Sequence, residues 1–547
     1  MKSNLSFLKI LIPLLFISLL FYLPISLVVI RTFTIDKGFS LQAVIDIITS
    51  PLHQRVIFFT IEQAFYSAVL TIILSLPLAW LFGKYDFYGK KFLKSIFLIP
   101  FILPGITVAL GFILFYGNSG YLNQFLGRFG LNIRVLYSLK AILMAHIFYN
   151  IPVAIRIIGN TIEKFNMRLE QAAKVLGANK KYLFLKIYLP CLLPSIINAF
   201  ILIFIYCFMT FGIVLILGDV AYTTIEVNIF ILIRQLLNYR TGMALGFIQI
   251  LISLTFLSIS RYFQNKSEYF QSYILEENAY HTPLIKKFTD FIKLDRILNI
   301  MYFFLGFIFV VAPILSVFGF FIKNIFDYKT FIQHFNLFAH DPIIGTNKLN
   351  AIINSSIIGL TSSAITVSLA LLLSFGISKH KKLRNLEVFV LLPMGISSVT
   401  FGLGLLLLLN YVNLSRFVLL IFAHSVISFP IVFKIIFEGI IQLKNNLLLA
   451  ANSLGASPFK VFYKVSLPLM RNNIFNAFIF AFAISLGEFG AASILHRNFI
   501  TIPIAIYRHI SARDFISATG MSFILILTAL IVFYASEQLK TQLHKRI

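Results

Sequence analysis

The sequence predicts an all-α integral membrane protein, with about twelve membrane-spanning helices arranged as two parallel six-helix repeats. Three observations lead to this prediction: the composition, the spacing of apolar stretches and an internal repeat. Hydrophobic residues make up 59% of the 547 residues and charged residues only 12%, against about 25% in ordinary soluble domains. So few charges cannot cover that much apolar surface in water, which excludes a soluble enzyme. Disordered proteins have low hydrophobicity, so this composition excludes a disordered chain as well.

Apolar stretches of about 20 residues, long enough to cross a bilayer as helices, recur along the whole chain. The first has too long an apolar core for a signal peptide and no small-residue cleavage site after it, so we expect an uncleaved span. A polar segment separates six spans from six, which predicts a first half at 1–260, a cytoplasmic linker at 261–298 and a second half at 299–547. The predicted spans cover residues 8–30, 57–83, 93–116, 138–160, 191–217, 241–260, 299–322, 351–378, 386–410, 415–437, 471–496 and 515–535.

The charge distribution predicts the orientation. The chain carries 46 Lys and Arg against 20 Asp and Glu, a formal net charge of +26. In a soluble protein this excess would indicate nucleic acid, but in a membrane protein basic residues mark the cytoplasmic loops. Most of them fall in loops that are cytoplasmic if both termini are inside. The prediction is therefore a multi-pass protein of a bacterial inner membrane, embedded in the lipid bilayer with both termini cytoplasmic and with no nucleic-acid partner.

An ungapped internal repeat relates the two halves. The segment that starts at Ala145 aligns with the segment that starts at Ala423, and the shared residues are rare types in apolar sequence. Six spans per half place both halves in the same orientation, with a pathway expected between them, which favours a transporter over an enzyme. The aligned pairs are His146 with His424, Pro152 with Pro430, Gly177 with Gly455, Pro190 with Pro468, and Phe211-Gly212 with Phe489-Gly490.

Two predicted cytoplasmic loops, at about 161–190 and 439–470, carry the most informative pattern. They contain LEQAAKVLGANKKYLFLKIYLP and LLLAANSLGASPFKVFYKVSLP. In each, two alanines form a helix face that another protein can approach closely, and a glycine permits the positive φ that ends the helix. Ser457 and Pro458 suit the start of a second short helix. Pro190 and Pro468 are expected to stop or kink the chain as it re-enters the bilayer.

This pattern resembles the signature loop of the membrane subunits of binding-protein-dependent ABC importers. The resemblance covers essentially the whole chain, through stretches such as FILPGITVALGFILFYGNSGYLNQFL and SLGEFGAASIL, and is most like the ferric-iron and thiamine branch, in which two halves are fused. It implies that each loop forms a coupling helix held by an ATP-hydrolysing subunit. The residues implied in coupling are Gln171, Ala172, Ala173, Gly177 and Pro190 in the first loop, and Ala450, Ala451, Gly455 and Pro468 in the second.

The loops depart from the family pattern at its acidic position. That position is Gln171 in the first loop, although Glu170 is adjacent, and Leu449 in the second loop. A docking salt bridge from the second loop is therefore not expected, and docking there is expected to rest mainly on apolar contact.

The resemblance implies the function and its partners. The chain is expected to translocate a small solute, ferric iron or thiamine, delivered by a periplasmic binding protein. Two copies of an ATPase subunit are expected to drive transport. The chain has no GxxxxGK[ST] phosphate loop, so ATP is expected to be used by the partner and no cofactor to be bound by the chain itself. A gradient-driven twelve-span carrier is the alternative, and a membrane-embedded enzyme would need a catalytic cluster that the sequence does not show.

Ionisable residues within spans are costly and therefore mark functional candidates. Glu488 precedes the repeated Phe489-Gly490, and its counterpart Thr210 precedes Phe211. These four positions, Glu488, Phe489, Thr210 and Phe211, form the predicted substrate pathway, because adjacent glycines can break a helix and an acid suits a cationic solute. A carboxylate that only bonds a neighbouring helix is an equal alternative for Glu488.

Other polar residues are interpreted more simply. The histidine pair His146 and His424 is expected to form helix-packing hydrogen bonds and not a metal site, and no catalytic residue is predicted. Cys191 and Cys207 are expected to be free cysteines. Contacts with a docked receptor or with other helices are both open for Glu62, Gln63 and Asn150. Asp219 and Glu226 are expected in an outer loop, where a solvated face is favoured and a docking surface is the alternative.

Overall fold

The computed structural model describes residues 2–35, 38–274, 282–283, 294–378, 386–443, 450–451, 453–497 and 499–544. Within these ranges ten helices are individually long and apolar enough to cross a membrane, and two bent helix pairs bring the number of spans to as many as twelve. The predicted all-α membrane fold with about twelve spans is therefore confirmed.

Helices of the first 274 residues alternate long spans with short connecting helices, and π-helical turns interrupt the run at Ser18–Tyr22 and Leu183–Tyr188. In chain order they are α1 (Lys2–Ile17), α2 (Leu23–Thr32), α3 (Gln42–Thr49), α4 (Pro51–Lys84), α5 (Lys90–Ile102), α6 (Gly105–Tyr116), α7 (Tyr121–Gly127), α8 (Leu139–Glu163), α9 (Met167–Val175), α10 (Lys180–Tyr182), α11 (Leu189–Phe208), α12 (Gly212–Leu217), α13 (Ile225–Arg234) and α14 (Tyr239–Ile274).

The remaining helices repeat this alternation, with a 3-10 turn at Leu392–Gly395 and a π-helical turn at Phe462–Ser466. They are α15 (Leu294–Phe326), α16 (Tyr328–His334), α17 (Lys348–Ser378), α18 (Leu386–Leu391), α19 (Ser398–Leu408), α20 (Arg416–Ile441), α21 (Pro458–Val461), α22 (Leu467–Leu469), α23 (Arg471–Gly487), α24 (Gly490–Leu495), α25 (Ile502–Ser511) and α26 (Phe515–His544). Ala450, Ala451 and Ser453 are helical as well.

Among the described residues, three pairs of two-residue strands lie in the connections. Strands β1 (Thr34–Ile35) and β2 (Gly38–Phe39) pair antiparallel, as do β5 (His340–Asp341) and β6 (Thr346–Asn347). Strand β3 (Tyr85–Asp86) pairs parallel with β4 (Thr282–Pro283). The predicted linker at 261–298 thus includes the end of α14, β4 and the start of α15, and its residues 275–281 and 284–293 lie outside the described residues.

The chain forms two compact units that do not follow the two predicted halves. One unit contains residues 48–228 and 249–320, and the other contains 1–47, 229–248 and 321–547. The first span of each half is therefore part of the unit built mainly from the other half. The predicted half boundaries concern the order of the repeats along the chain and stay a prediction.

Glycines, which have no Cβ atom, allow the first span of each half to pack closely in the unit that contains it. A Cβ atom at Gly404 of α19 would lie 2.7 Å from the carbonyl oxygen of Pro24 in α2. In the other unit, a Cβ atom at Gly111 of α6 would lie 2.7 Å from the carbonyl oxygen of Pro313 in α15. Small residues permit this backbone approach in membrane helices, where packing replaces hydrophobic transfer as the source of association.

Four of the predicted spans, at 93–116, 191–217, 386–410 and 471–496, contain a helix break. The third span of the first half stops at Ile102 and restarts at Gly105. Its counterpart bends by 102° between Leu386–Gly395 and Ser398–Leu408. Proline removes a backbone donor and pushes the preceding residue out of the helical region, and the first break lies at one, Leu103-Pro104. The second break lies at Ile396 and Ser397, both of which have an extended backbone.

The fifth span of each half breaks where the pathway residues were predicted. In the first half α11 ends at Phe208 and α12 begins at Gly212. In the second half α23 ends at Gly487 and α24 begins at Gly490. Hydropathy averages do not register such breaks, since the interrupting residues are themselves largely apolar.

Candidate functional site

Both loops that resemble coupling loops end their first helix in the same way. We call residues 166–190 the first elbow and residues 450–468 the second elbow. Gly177 has φ +82° and Gly455 has φ +76°, which confirms the predicted positive φ. In the first elbow the amides of Gly177 and Ala178 donate to the carbonyls of Lys174 and Ala173, both at 3.0 Å. This is the Schellman arrangement, in which glycine satisfies carbonyls that the helix end leaves open.

The second elbow has the equivalent of the bond between Ala178 and Ala173. The amide of Ala456 donates to the carbonyl of Ala451 at 3.1 Å. The short helix after the glycine begins at Pro458, and the Ser457 hydroxyl accepts the Lys460 amide at 3.4 Å. The predicted Ser-Pro helix start is therefore confirmed. Leu449 lies outside the described residues.

The turns of the elbows expose apolar side chains. Val175 and Leu176 are each 87% exposed in the first elbow, and Leu454 is 88% exposed in the second. Such exposure at matching places on two rigid turns is a feature of surfaces that another protein covers. Of the predicted coupling residues, Gln171, Ala172, Gly177, Pro190, Ala450, Gly455 and Pro468 are exposed, and Ala173 and Ala451 are half-buried. Their role in coupling stays a prediction.

Pro190 and Pro468 act differently in the two elbows. Each follows a π-helical turn, Leu183–Tyr188 or Phe462–Ser466, and this wider turn accommodates the missing proline amide. The first elbow leads into one continuous span, Leu183–Phe208, so the chain does not stop at Pro190. A kink at Pro190 stays a prediction. After Pro468 the chain bends by 64° between Phe462–Leu469 and Arg471–Gly487, as predicted.

Glu170 connects the first elbow to the end of α4. Its carboxylate is buried, 3.1 Å from Lys84 Nζ at the end of α4, and it accepts hydrogen bonds from Lys174 and the Tyr188 hydroxyl. Lys84 also lies 5.0 Å above the ring of Trp80, a cation–π distance. The sequence marked Glu170 only as a neighbour of the family's acidic position; the structure shows that its charge is used within the chain.

The environment of Glu170 shifts its titration. Burial acts to raise the pKa of this carboxyl, but the hydrogen bonds from Lys174 and Tyr188 and the charge of Lys84 outweigh burial, so the pKa lies below its ordinary value. The carboxylate is therefore ionised at neutral pH and holds the elbow through charge-assisted hydrogen bonds.

At the helix break of the second half, Glu488 is buried and bonded. Its carboxylate oxygens accept the amides of Ala491 and Ala492 at 3.0 and 3.2 Å, and one of them lies 3.5 Å from His424 Nε2. The carboxylate thus caps the first turn of α24, where backbone donors would otherwise be unpaired in the membrane. These bonds support the structural alternative for Glu488. Its contact with solute stays a prediction.

The other predicted pathway residues lie at the same breaks. Thr210 is half-buried and Phe211 is buried between α11 and α12. Phe489 is buried, and its ring centroid lies 5.5 Å from that of Tyr507 in α25. Tyr507 in turn lies 6.3 Å from Phe230 in α13. An aromatic group therefore adjoins the break in the second half.

The paired histidines form helix-packing hydrogen bonds, as predicted. Nδ1 of His146 in α8 lies 2.9 Å from the Ser67 hydroxyl in α4. Nδ1 of His424 in α20 lies 2.6 Å from the Ser485 hydroxyl in α23. Each contact joins two spans of one half.

Further polar residues of the spans also bond within the fold. The Gln63 amide donates to the Cys207 carbonyl at 2.9 Å, and the Asn150 amide donates to Cys207 Sγ at 3.3 Å. Both cysteines are free, as predicted. Glu62 is exposed. The prediction that Glu226 lies on a solvated face is wrong. Glu226 is fully buried and accepts a hydrogen bond from Gln249. Asp219 is exposed.

Comparison with known proteins identifies relatives that cover most of the chain. Residues 75–268 match the family described as binding-protein-dependent transport system inner membrane component. The thiamine transport system permease protein ThiP of Haemophilus influenzae is 26% identical over 495 residues, covering 88% of this chain and 87% of that protein. ThiP of Brucella abortus strain 2308 is 25% identical over 488 residues, covering 86% and 85%. The probable sulfate transport system permease protein cysT of Prototheca wickerhamii is 30% identical over 200 residues, covering 37% and 77%.

Proposed function

The chain belongs to the family of binding-protein-dependent transport system inner membrane components, and from this premise we propose its solute, its partners and its cycle. It is a multi-pass inner-membrane permease of an ABC importer. The gradient-driven carrier is an alternative because the sequence has no phosphate loop for ATP; a permease driven by a separate ATPase accounts for the same absence.

The solute that we propose is thiamine. The observation that carries this proposal is the length of the similarity: the thiamine permease of Haemophilus influenzae matches 88% of this chain, both halves included. The sulfate-permease relative matches only 37%. Ferric iron, the other solute expected from the sequence, is the competing outcome of the experiment below.

The partners are a periplasmic binding protein and two copies of an ATPase subunit, one on each elbow. Two elbows that end in the same glycine turn, each with a leucine exposed by nearly nine-tenths, support two equivalent docking positions. The elbows differ in their anchoring, because the buried carboxylate of Glu170 holds the first elbow to Lys84. Closure of the ATPases therefore moves the first elbow together with α4.

ATP is used by these partners, and the chain itself binds no cofactor and has no catalytic activity. The charge distribution of the loops supports an orientation with both termini in the cytoplasm. In the cycle, ATP binding brings the two ATPases together and opens the predicted pathway to the outside, and hydrolysis returns it to the inward-open state. ATP and the loaded receptor shift this equilibrium through their different affinities for the two states.

Reconstitution tests the function directly. Purified permease in liposomes, with the ATPase inside and the receptor outside, is expected to accumulate labelled thiamine only when ATP is enclosed. Uptake by the permease alone under an ion gradient would instead establish the carrier and overturn the proposal. Uptake of ferric iron with no uptake of thiamine would retain the importer and replace the solute.

A matched pair of substitutions tests the elbows as docking sites. Val175→Asp removes an apolar contact worth roughly 1.5–3 kcal/mol when buried, so ATPase binding is expected to weaken at least about tenfold. Val220→Asp is the control, because Val220 is 93% exposed in the connection between α12 and α13. Equal ATPase binding by the two variants would contradict docking at the first elbow. Leu454→Asp tests the second elbow in the same assay.

A further inference from the structure

Two arginines converge on one histidine at the C-terminal end of α24. Nη2 of Arg234 lies 3.2 Å from Nε2 of His496, and Nη2 of Arg508 lies 3.3 Å from the same nitrogen. Guanidinium groups only donate, so His496 Nε2 is the acceptor of both. His496 Nδ1 lies 3.2 Å from the Ala492 carbonyl and donates to it. His496 is therefore neutral and contributes no charge to balance the arginines.

The positive charge of this group is not compensated by nearby acids. Among the described residues no carboxylate lies within ion-pair distance of Arg234, Arg416 or Arg508. Burial first, and then the charges of Arg416 and Arg508, lower the pKa of Arg234 below its ordinary value. Half-buried charges without a counter-ion are costly. Each guanidinium carries five N–H donors, and the bonds to His496 and Ile344 use only some of them. The other N–H groups of the neighbouring guanidinium groups of Arg234 and Arg508 suit a bound oxyanion.

The position of the arginines connects them to the helix break. Arg234 is one turn beyond Phe230 on α13, and Arg508 follows Tyr507 on α25. Tyr507 contacts both Phe230 and Phe489, at ring-centroid distances of 6.3 and 5.5 Å. The charged group thus adjoins the aromatic residues beside the predicted pathway, which favours a small solute over the surface of a docked protein.

We propose that Arg234 and Arg508, which converge on His496, form together with the nearby Arg416 a binding site for a small oxyanion of the phosphate or sulfate class. The guanidinium groups of Arg234 and Arg508 supply paired donors, and Arg416 adds charge. The placement of the site on the transport route rests on the proposed permease function, whereas binding of the oxyanion does not.

Direct binding to the purified full-length chain tests the site. Equilibrium dialysis with labelled inorganic phosphate and labelled sulfate is expected to show saturable binding. Arg234→Gln and Arg508→Gln are each expected to weaken it at least tenfold. Arg497→Gln is the matched control, because Arg497 is exposed and adjacent to His496 in the chain, and it is expected to bind as the unaltered protein does.

A third variant separates binding from folding. Arg508 also donates to the Ile344 carbonyl at 3.0 Å, so its loss can disturb the structure. Arg416→Gln breaks no side-chain hydrogen bond found among the described residues, and it is expected to weaken binding severalfold with an unchanged unfolding temperature. The proposal is overturned if the unaltered chain shows no saturable binding, or if all three variants bind as the control does.

Two further measurements distinguish a free oxyanion from one carried on a larger solute, and a small oxyanion from a docked protein. Tighter binding of phenyl phosphate than of inorganic phosphate would identify an oxyanion carried on an aromatic solute; equal binding would identify the free ion. Failure to bind either ion, together with weaker receptor capture by Arg416→Gln, would overturn the proposal in favour of a protein docking site. Anion binding without thiamine uptake would refute the proposed solute and leave this site intact.

Discussion

Glu170 and Glu488 are both buried acids, and their partners show how differently two carboxylates are used in this chain. Glu170 is paired with a cation, Lys84, and ties the first elbow to a span. Glu488 instead caps backbone amides at a helix break. In both cases the partner lies at a place that the identity of the residue alone does not reveal.

Replacement of Glu488 by glutamine tests whether its charge contacts the solute. Glutamine keeps the size but only one acceptor oxygen, so it retains one of the two bonds that the carboxylate accepts from the amides of Ala491 and Ala492. Some fall in unfolding temperature is therefore expected whatever the charge does. If the carboxylate also meets a cationic solute, the uptake rate is expected to fall about tenfold or more, since that factor corresponds to about 1.4 kcal/mol. Glu62→Gln on an exposed face is the control. Unchanged uptake kinetics would assign Glu488 a structural role alone.

The lowered pKa of Glu170 predicts a pH-dependent contribution to stability. A carboxyl whose pKa is lower in the folded state stabilises the fold above its ordinary pKa of 4.5 and loses that contribution as the pH falls through the folded value. The difference in unfolding temperature between the unaltered chain and Glu170→Gln is therefore expected to be largest near neutral pH and to vanish in acid. A difference independent of pH would show that the charge is not responsible.

At the scale of the elements, the elbows and the broken spans are the features on which function depends. Each elbow needs a residue with positive φ at its turn, and glycine meets this need without strain. Each broken span leaves helix ends inside the membrane region, and these ends must find hydrogen-bond partners. Glu488 meets this need at one break.

Substitution of the elbow glycines tests whether the turns couple transport. Gly177→Val combined with Gly455→Val forces two side chains into the left-handed region, at roughly 1–2 kcal/mol each, and is expected to abolish uptake while insertion in the membrane persists. Gly130→Val is a matched control: Gly130 has φ +73° and, like the elbow glycines, open space around its Cβ position. Normal uptake by the double variant, or equal loss in the control, would count against coupling at the elbows.

At the scale of the whole molecule, the exchange of first spans links the two halves of the chain. Residues 1–47 are part of the unit that contains most of the second half, and residues up to 320 of α15 are part of the other unit. Each unit therefore needs both halves to be complete. A fused chain guarantees that the two halves are made in equal amounts.

The orientation predicted by the charge distribution is testable on the intact molecule. Because basic loops remain on the cytoplasmic side, an epitope tag after Ile547 is expected to resist external protease in right-side-out vesicles and to be cleaved in inverted ones. A tag in the connection at Asp219, which is exposed, is expected to show the opposite pattern. Cleavage of the C-terminal tag from outside would reverse the topology.

The sequence by itself determined the membrane class, the approximate positions of the spans and the two elbow turns. These properties are local: hydropathy adds up residue by residue along a span, and a glycine turn is specified by the few residues around Gly177 or Gly455. The repeat added the correspondence between halves, because aligned His, Pro and Gly residues need no knowledge of contacts.

Only the tertiary structure decided which residues meet across the chain. The exchange of first spans, the pairing of Glu170 with Lys84 and the convergence of Arg234 and Arg508 on His496 join residues far apart in sequence. Apolar sequence matches many partners equally well, so pattern alone does not choose among them. That choice depends on packing between helices, where small residues and hydrogen bonds select one arrangement.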